Sequence, residues 1–528
     1  MRDLLGLGGI LLLALAIRAF AWSQTAAIFN DGPIFLAMAE AITEGRLADV
    51  LAHPYHPLYP ALIALVSLFS VNFETAGVVV SILGGLLSIG ALFYFVRDSF
   101  GGPVAWVAAW ILALHPWAVD FSSDVMSDGI YTGLFLLTFL WMTRVLEDPT
   151  VKLAIGMGVT CGLAFLVRPE GAALLLACLV LLITRMLGDS DMRRRAAIAC
   201  VAALLAGAFV MTPFVFVVSE AAGELTLTQK KSISRLVADP SHPDIRAAQA
   251  REGARLAELA GRLRLPEQSS RMSGPAVRHP ERTLLGMLEA VTRVAATSMA
   301  AFRWELILLA LVGIWASRSE HESKKRHRNR AIALVLIGYM ALLVMLVWGA
   351  GYVSRRHALP PWLPLIGYAA LGARTLWQAS VSRIMRRNPT WHRRLRDSRV
   401  VCAAIVVALI LSWGARDLRA RRTDRLPTRV AAEWLASTRP DSGAVAAQKV
   451  RVAYYAQADF VPLPAASGGR LAAQLRKRNA RWVIIDRDNL ADHRGLKEGI
   501  GHWLQLVHAV PFGKGAVLVL SLGPEPAD

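Results

Sequence analysis

The chain has 528 residues, of which 55% are hydrophobic, and its formal net charge is +19. The mean hydropathy of +0.43 and the long apolar blocks exclude an ordinary water-soluble enzyme and indicate a protein that crosses a bilayer several times. The positive charge does not indicate nucleic-acid binding, because the basic residues cluster between the apolar blocks, where they determine membrane orientation.

Apolar segments of about 17–22 residues, long enough to span hydrocarbon, recur along the first 415 residues. The first segment shows no small-residue cleavage site and is expected to remain as an uncleaved span. The segment 57–70 is short and begins in proline-rich sequence, which predicts an interfacial or re-entrant helix beside 33–45. The eleven predicted crossings are 4–22, 76–96, 103–118, 129–146, 152–167, 171–187, 196–218, 299–317, 331–350, 357–375 and 399–415.

The basic residues predict which side of the membrane each loop faces. With the N-terminus in the cytoplasm, dense clusters such as Arg193-Arg194-Arg195 and Lys324-Lys325-Arg326 all fall inside, as the positive-inside rule requires. We therefore expect a multi-pass protein of the cell (inner) membrane. The periplasmic face would receive the C-terminal tail and the outer loops 23–56, 119–128 and 219–283, the last with a helical composition at 244–264.

The sequence changes character after residue 415. The predicted elements, in chain order, are a helix at 430–435, a strand at 443–448, a helix at 470–479, and strands at 481–486 and 515–521. This alternation predicts a small α/β domain. It contains no glycine-rich phosphate loop and no nucleophile motif, which favours a binding or structural role. The predicted domains are a transmembrane domain, 1–415, and an extracytoplasmic domain, 416–528.

Acidic and histidine residues follow the first span. Asp31 precedes an amphipathic run that contains Glu40, and its carboxylate either caps that helix or accepts a proton from an acceptor hydroxyl or amine. His53 and His56 occur in a proline-rich stretch, where they bind a phosphate, transfer a proton or serve a structural role.

Three aspartates, Asp120, Asp124 and Asp128, are spaced by four residues across an outer loop and the start of the next span. They form either a cation site, since hard cations take carboxylate ligands, or the solvated face of a helix. The sequence indicates no required cofactor, and a divalent cation at these aspartates is the metal site that it allows.

Two further motifs place charges at span ends. Arg168 and Glu170 occupy a turn between two spans with almost no loop, where they form either a functional pair or a salt-bridged turn, because charges at that depth are costly. Arg355, Arg356 and His357 follow a span on its outer side, against the usual distribution of arginine. Planar guanidiniums suit phosphate, so this motif predicts an anion site, with snorkelling side chains as the alternative.

In this order, the motifs resemble the GT-C glycosyltransferase superfamily, in the branch of protein O-mannosyltransferases and bacterial aminoarabinose transferases. The resemblance covers nearly the whole chain. The motifs that carry it are Asp31, Ala39-Glu40, His56-Pro57-Leu58-Tyr59-Pro60, Ser127-Asp128, 162–171 and 354–360. The chain departs from the family at Gly32, where glutamate is frequent, and at Asp128, where glutamate is common.

The resemblance implies a polytopic α-helical enzyme that transfers a sugar from a polyprenyl-phosphate donor to an acceptor on the periplasmic face, with inversion. It implies that Asp31 is the general base. The implied ligands of the donor phosphate are Arg168, Arg355, Arg356 and His357, and the implied supporting residues are Glu40, His53, His56, Asp128 and Glu170. The expected partners are the lipid donor, membrane lipids and an acceptor that is a lipid, a glycan or a protein.

A transporter or lipid flippase is the alternative from another functional class, since it also carries charges within the membrane. Such proteins typically show repeated halves with charges near the midpoints of spans. Here the polar groups gather on one face, without an internal repeat. A noncatalytic membrane scaffold is a third alternative, but it leaves Asp31 and the outward arginine pair unexplained.

Overall fold

The computed structural model describes residues 2–51, 53–69, 71–187, 190–228, 283–319, 323–384, 398–440, 443–463, 469–486, 490, 493–513 and 515–523. They form a helical bundle followed by a small domain with one β-sheet, as predicted. The helix predicted at 244–264 and most of the basic cluster near residue 390 lie outside the described residues.

Helices account for nearly all of the first 417 residues that the structure describes. They are α1 Arg2–Ser23, α2 Gly32–Thr43, α3 Leu47–Leu51, α4 Leu58–Ser67, α5 Phe73–Phe100, α6 Gly102–Ala113, α7 Pro116–Phe121, α8 Asp128–Glu147, α9 Val151–Val167, α10 Glu170–Arg185, α11 Ser190–Ala222, α12 Leu284–Phe302, α13 Trp304–Ala316, α14 Ser323–Ala350, α15 Arg355–Ala358, α16 Ile366–Ile384 and α17 Ser398–Asp417. Within the described residues, seven of these (α1, α5, α8, α11, α12, α14 and α17) are long and apolar enough to cross a membrane.

The bundle is apolar both inside and outside, as a membrane domain must be. Phe93, Phe135 and Phe165 are buried between helices, whereas Phe209 and Phe216 on α11 are 82% and 67% exposed. Large apolar side chains on the outer surface are stable in lipid and unfavourable in water. The exposed phenylalanines therefore support the prediction of a multi-pass membrane protein.

Loops that were predicted to share one side meet at one end of the bundle. Arg144 Nη2 lies 2.8 Å from Asp98 Oδ2, and Arg328 donates a hydrogen bond to the carbonyl oxygen of Ser99 at 2.6 Å. Arg195 pairs with Asp148 at the same end. The pairing of loops agrees with the predicted topology, while the orientation of that end toward the cytoplasm stays a prediction.

The span predicted at 299–317 is not one continuous helix. The chain breaks at Arg303, whose φ is 73°, and α13 begins only at Trp304. The guanidinium of Arg303 lies 5.4 Å from the ring of Trp413, and Glu305 accepts a hydrogen bond from that indole at 2.9 Å. These contacts hold the break in place, and periodicity alone did not indicate it. The next-to-last predicted span, 357–375, likewise starts with α15 and the 3₁₀ turn Pro360–Leu365 before α16.

The two short helices predicted after the first span are present as α2 and α4. They pack against each other through the rings of Phe35 and Tyr59, whose centroids are 4.9 Å apart. Asn72 caps the start of the following helix, α5, by accepting a hydrogen bond from the backbone nitrogen of Thr75 at 2.7 Å. The segment between α1 and α5 is thus a compact helical unit beside the bundle.

The C-terminal part contains the predicted α/β elements. They are α18 Leu426–Thr438, β1 Ala444–Ala447, α19 Val450–Tyr455, β2 Asp459–Pro462, α20 Gly469–Lys477, β3 Ala480–Asp486, α21 Arg494–Gly499, β4 Leu504–Phe512 and β5 Gly515–Leu522. The sheet order is β2-β1-β3-β5-β4, with β1 parallel to β2 and β3, and β5 antiparallel to β3 and β4. The sequence did not predict the edge strands β2 and β4, because β2 is short and β4 is largely exposed.

Candidate active site

Asp31 lies at the start of α2, but its side chain makes no capping hydrogen bond there. Its Oδ2 atom instead accepts a hydrogen bond from Nη1 of Arg356 at 2.7 Å. The side chains are 16% and 19% exposed, so the pair is reachable from solvent without being freely hydrated. The geometry therefore favours a side chain available for chemistry over the helix-capping alternative.

A chain of alternating charges continues from this pair. Nη1 of Arg356 also lies 3.9 Å from Oδ2 of Asp128, whose Oδ1 accepts a hydrogen bond from Nη1 of Arg168 at 2.5 Å. Nη2 of Arg168 in turn contacts Oε1 of Glu170 at 3.2 Å. Three carboxylates and two guanidiniums leave one net negative charge. Such a partly buried network is costly to desolvate, which makes a purely structural role a poor explanation for it.

Two glycines allow the helices that carry this charge chain to approach closely. A Cβ atom on Gly129 would lie 2.4 Å from the carbonyl oxygen of Ser81 in α5. A Cβ atom on Gly171 would lie 2.2 Å from the backbone nitrogen of Phe165 in α9. Each glycine directly follows an acid of the chain, so the tight contact determines where that carboxylate is placed.

Two tyrosines border the pair of Asp31 and Arg356. Burial raises the pKa of Tyr55, and the charge of Asp31 raises it further. Burial also raises the pKa of Tyr352, although Arg356 partly offsets the rise. Both phenols thus stay protonated at neutral pH and can donate a hydrogen bond to a carboxylate or a ligand oxygen. The sequence analysis did not select them, although Tyr55 lies inside the histidine motif and Tyr352 directly precedes the arginine motif.

The two adjacent arginines go to different places. Arg356 joins the charge chain, whereas the guanidinium of Arg355 lies 4.4 Å from the ring centroid of Trp117. His357 is buried, and its Nδ1 atom lies 3.0 Å from Oγ of Ser354. The structure therefore brings together Asp31, Arg356, Asp128, Arg168 and Glu170, and it leaves Arg355 and His357 at the margin.

The two histidines predicted to follow the first span are also buried. Nδ1 of His53 accepts a hydrogen bond from the backbone nitrogen of Tyr55 at 3.1 Å, and the two rings stack. His56 packs between the rings of Phe165 and Phe214, with centroid distances of 4.9 and 4.8 Å. His53 thus supports the backbone that carries Tyr55, and His56 fills an aromatic pocket.

Glu40 lies on a different face of α2 from the charge chain. It is exposed and lines a cleft of about 1010 Å³ between α2, the start of α5 and the C-terminal domain. Glu74, Tyr454 and Asp459 line the same cleft, but Asp31 does not. The convergent charges lie outside this cleft, so we take the charge chain as the candidate active site.

Asp120 and Asp124 pair with arginines from the segment that follows α17. Nη1 of Arg422 lies 2.5 Å from Oδ2 of Asp124, and Nη1 of Arg421 lies 3.4 Å from Oδ1 of Asp120. Asp124 also accepts a hydrogen bond from the backbone nitrogen of Val125 at 2.7 Å. Asp124 is buried and therefore does not lie on a solvated helix face. Among the described residues, no group of three or more histidine, cysteine, aspartate or glutamate side chains is arranged to hold a metal ion.

With this geometry established, comparison with known proteins is informative. The profile of the family described as dolichyl-phosphate-mannose-protein mannosyltransferase matches residues 52–216. ArnT from Cupriavidus metallidurans bound to undecaprenyl phosphate superimposes with a TM-score of 0.55 at 13% identity, over 98% of each chain. This chain has the GT-C fold. The apo state of the same ArnT gives a TM-score of 0.57 at 13% identity, over 99% of this chain and 100% of that one.

A second GT-C structure agrees. The Archaeoglobus fulgidus oligosaccharyltransferase, tethered to an acceptor peptide, gives a TM-score of 0.57 at 13% identity, covering 92% of this chain and 69% of its own. No curated protein matches this chain in sequence. The resemblance to GT-C membrane glycosyltransferases is confirmed, in the fold over nearly the whole chain and in the family profile over residues 52–216. The matched segment includes Asp128, Arg168 and Glu170 but not Asp31 or Arg356.

On the GT-C fold of this chain, the C-terminal domain holds the loop that leads to Asp31. The backbone nitrogen of Ala26 donates to the carbonyl oxygen of Arg421 at 3.0 Å. The backbone nitrogen of Ile28 donates to the hydroxyl of Tyr455 at 2.9 Å. The sequence analysis had no signal for these contacts, because they join residues about 400 positions apart. The two parts of the chain therefore build the site jointly.

Proposed function

We propose that this protein transfers a sugar from a polyprenyl-phosphate donor to an acceptor at the extracytoplasmic face of the cell membrane. The observation that carries the proposal is the direct contact between Asp31 and Arg356 within a chain of buried charges on a GT-C fold. The ArnT structure binds undecaprenyl phosphate and the oligosaccharyltransferase structure holds an acceptor peptide, which supports a lipid-linked donor and a separate acceptor.

In the proposed reaction, Asp31 acts as the general base. Its carboxylate takes the proton from an acceptor hydroxyl or amine as that group attacks the anomeric carbon of the donor sugar. The new bond forms on the face opposite the leaving group, so the configuration at the anomeric carbon inverts. The bonding electrons leave with the lipid phosphate. Tyr55, which borders Asp31, is placed to hold the acceptor or the carboxylate in the reactive orientation.

Arg356 and Arg168 would stabilise the charge that develops on the leaving phosphate. A phosphate ester needs no proton to leave at neutral pH, so a base and a cationic clamp suffice. Arg356 uses Nη1 for both of its carboxylate contacts, and its other guanidinium edge can receive an anion. A phosphate bound there competes with Asp31 for the guanidinium. Donor binding would thus weaken the contact between Arg356 and Asp31 and release the base for the acceptor.

An apolar groove near Arg168 is a suitable place for the prenyl chain. The groove between α10 and α14 has a volume of about 300 Å³ and is lined by residues such as Leu174, Val335 and Tyr339. The hydroxyl of Tyr339 lies 3.4 Å from that of Tyr131, and the guanidinium of Arg168 lies 5.3 Å from the ring centroid of Tyr131. A lipid chain in the groove would therefore have its phosphate end close to the proposed clamp.

The decisive experiment compares two aspartates with the same exposure. Asp31→Asn removes the proposed base. Asp49→Asn is the matched control, because Asp49 in α3 is also 16% exposed but pairs with Arg46 just before that helix. Each variant is expressed in a deletion strain, and lipid-linked sugars are measured by mass spectrometry. We expect Asp31→Asn to accumulate the same polyprenyl-phosphate sugar as the deletion, and Asp49→Asn to clear it. Clearance by Asp31→Asn at the wild-type rate would remove Asp31 from the role of base.

A further inference from the structure

A second group of cationic side chains lies where the C-terminal domain meets the loop before Asp31. This basic cluster consists of Arg422, Arg425, Lys449 and Arg451. Arg422 donates a hydrogen bond to the carbonyl oxygen of Ala27 at 3.0 Å, and Arg451 donates one to Oδ1 of Asn30 at 3.0 Å. Ala27 and Asn30 belong to the same loop, so the basic cluster borders the residue that directly precedes the proposed base.

The neighbouring carboxylates neutralise the basic cluster only in part. Asp124 is engaged by Arg422, as described above. Asp424 lies 3.7 Å from Nε of Arg425, but its side chain is 74% exposed and therefore strongly screened by water. Nη1 of Arg425 is buried and has no hydrogen-bond partner in the part of the chain that the structure describes. The basic cluster thus has surplus positive charge and a buried donor that is not satisfied.

Repulsion within the basic cluster is visible in its pKa values. Burial, followed by the charges of Arg425 and Arg422, lowers the pKa of Arg451 to about 10. Burial, followed by Arg451 and Arg425, also lowers the pKa of Lys449. Holding like charges together in a partly dehydrated place destabilises the fold, and an anion between them would relieve that cost and satisfy Arg425.

We propose that the basic cluster binds a phosphate ester. Guanidinium groups match the geometry of phosphate oxygens, and a lysine ammonium adds a point charge. The proposal rests on the proposed function only for the source of the ligand, which is either a phosphate carried by the acceptor or a lipid headgroup. In both cases the anion would lie beside Asn30, next to the carboxylate of Asp31 but on a different set of cations from Arg356 and Arg168.

The test is a binding measurement with glycerol phosphate, a soluble phosphate monoester, on the purified full-length protein in nanodiscs of neutral lipid. Each titration is repeated in an Arg356→Ala background, because the proposed donor site also takes phosphate. We expect Arg425→Ala and Lys449→Ala each to weaken the remaining affinity by about tenfold or more. Arg470→Ala, which removes an exposed arginine from α20 of the same domain, is the matched control and should leave the affinity unchanged.

Stability and charge are checked in parallel. Thermal unfolding confirms that each variant is folded, and Arg425→Lys, which keeps the charge, should recover part of the affinity. Equal affinity in Arg425→Ala, Lys449→Ala and Arg470→Ala would overturn the proposal. The absence of saturable binding by the Arg356→Ala protein would also overturn it.

Two further experiments distinguish a lipid headgroup from the acceptor as the source of the phosphate, and the phosphate site from the proposed catalytic role of Asp31. If a lipid headgroup occupies the basic cluster, nanodiscs that contain phosphatidylglycerol should weaken glycerol phosphate binding, whereas unchanged binding indicates the acceptor. If Asp31→Asn still transferred sugar, the proposed base would fail while the phosphate site stood. Conversely, sugar transfer could depend on Asp31 while the basic cluster binds no phosphate. That result would overturn the phosphate site and leave the proposed base in place.

Discussion

Two groups of acids and arginines lie side by side at one end of the bundle, and they use the same residue types differently. In the charge chain, Asp31 contacts Arg356 through its side chain, and Asp128 contacts Arg168 in the same way. In the second group, Asp124 accepts hydrogen bonds from backbone nitrogens as well as from an arginine. A carboxylate saturated by the main chain is held in one geometry, whereas a carboxylate held by a long side chain can exchange partners.

The partner of an acid thus indicates its role better than its residue type or spacing does. Asp124 anchors the backbone around Phe29 and Val125 to Arg422, so it holds two loops and the C-terminal segment together. Asp31 holds nothing comparable and faces two tyrosines. We therefore propose a structural role for Asp124 and a catalytic role for Asp31.

The largest effect on stability is expected for Asp124→Ala. It would leave the buried guanidinium of Arg422 without its carboxylate, and breaking a buried pair typically costs about 3–5 kcal/mol. Denaturant unfolding in detergent measures the loss, with Asp120→Ala as the control. Asp120 is 26% exposed and lies 3.4 Å from Arg421, whereas the side chain of Asp124 is 3% exposed, so Asp120→Ala should cost less stability than Asp124→Ala. Unchanged stability together with lost transfer in Asp124→Ala would place Asp124 in the active site and contradict its structural role.

Arg356→Lys should slow catalysis strongly, though less than Asp31→Asn, without a comparable loss of stability. The ammonium keeps the charge but loses the two-edged guanidinium that would bridge Asp31 and the donor phosphate. We expect the rate of sugar transfer to fall by about 10²–10³-fold, as when a preorganised anion donor is removed. Arg355→Lys is the control, because its ammonium can remain over the ring of Trp117. Equal losses in both variants would mean that the pair acts as one unit.

Gly171→Ala tests whether the placement of the charge chain matters, because it moves the chain without removing a charge. The added Cβ would meet the backbone nitrogen of Phe165 at 2.2 Å, and overpacking of this kind costs about 1–3 kcal/mol. We expect a lower unfolding temperature and slower transfer. Gly156→Ala in α9 is the control, since its Cβ would meet Trp141 only at 3.5 Å and should not destabilise the protein. Faster transfer in Gly171→Ala would contradict the proposed positioning.

The smallest effect is expected from chelation. Asp120 and Asp124 are paired with Arg421 and Arg422, and a divalent cation at this position would have to displace both guanidiniums. Treatment with EDTA should therefore leave the rate of transfer unchanged. A loss of transfer that Mg²⁺ or Mn²⁺ restores would show that the second group takes part in the reaction.

Sequence pattern was sufficient for the elements whose stability is local. Long apolar runs form helices in lipid, because a helix satisfies its own backbone hydrogen bonds. For this reason, α1, α5, α8 and α11 were predicted close to their observed bounds. Short apolar runs that alternate with helical segments likewise predicted the inner strands of the C-terminal domain. The break at Arg303 escaped prediction, because it depends on Trp413 and Glu305. The fully buried Arg18 also escaped, because its partner Ser122 is 104 residues away.

By itself, the sequence determined the order of the apolar spans, the α/β tail and the set of polar residues at one end of the bundle. These features follow from composition and from the charges between spans, which act locally. Only the tertiary structure decided which of these residues meet. Arg356 rather than Arg355 reaches Asp31, and Arg451 reaches Asn30 across 421 positions. Such contacts depend on how each helix is rotated and on packing between distant segments, and no local pattern encodes either.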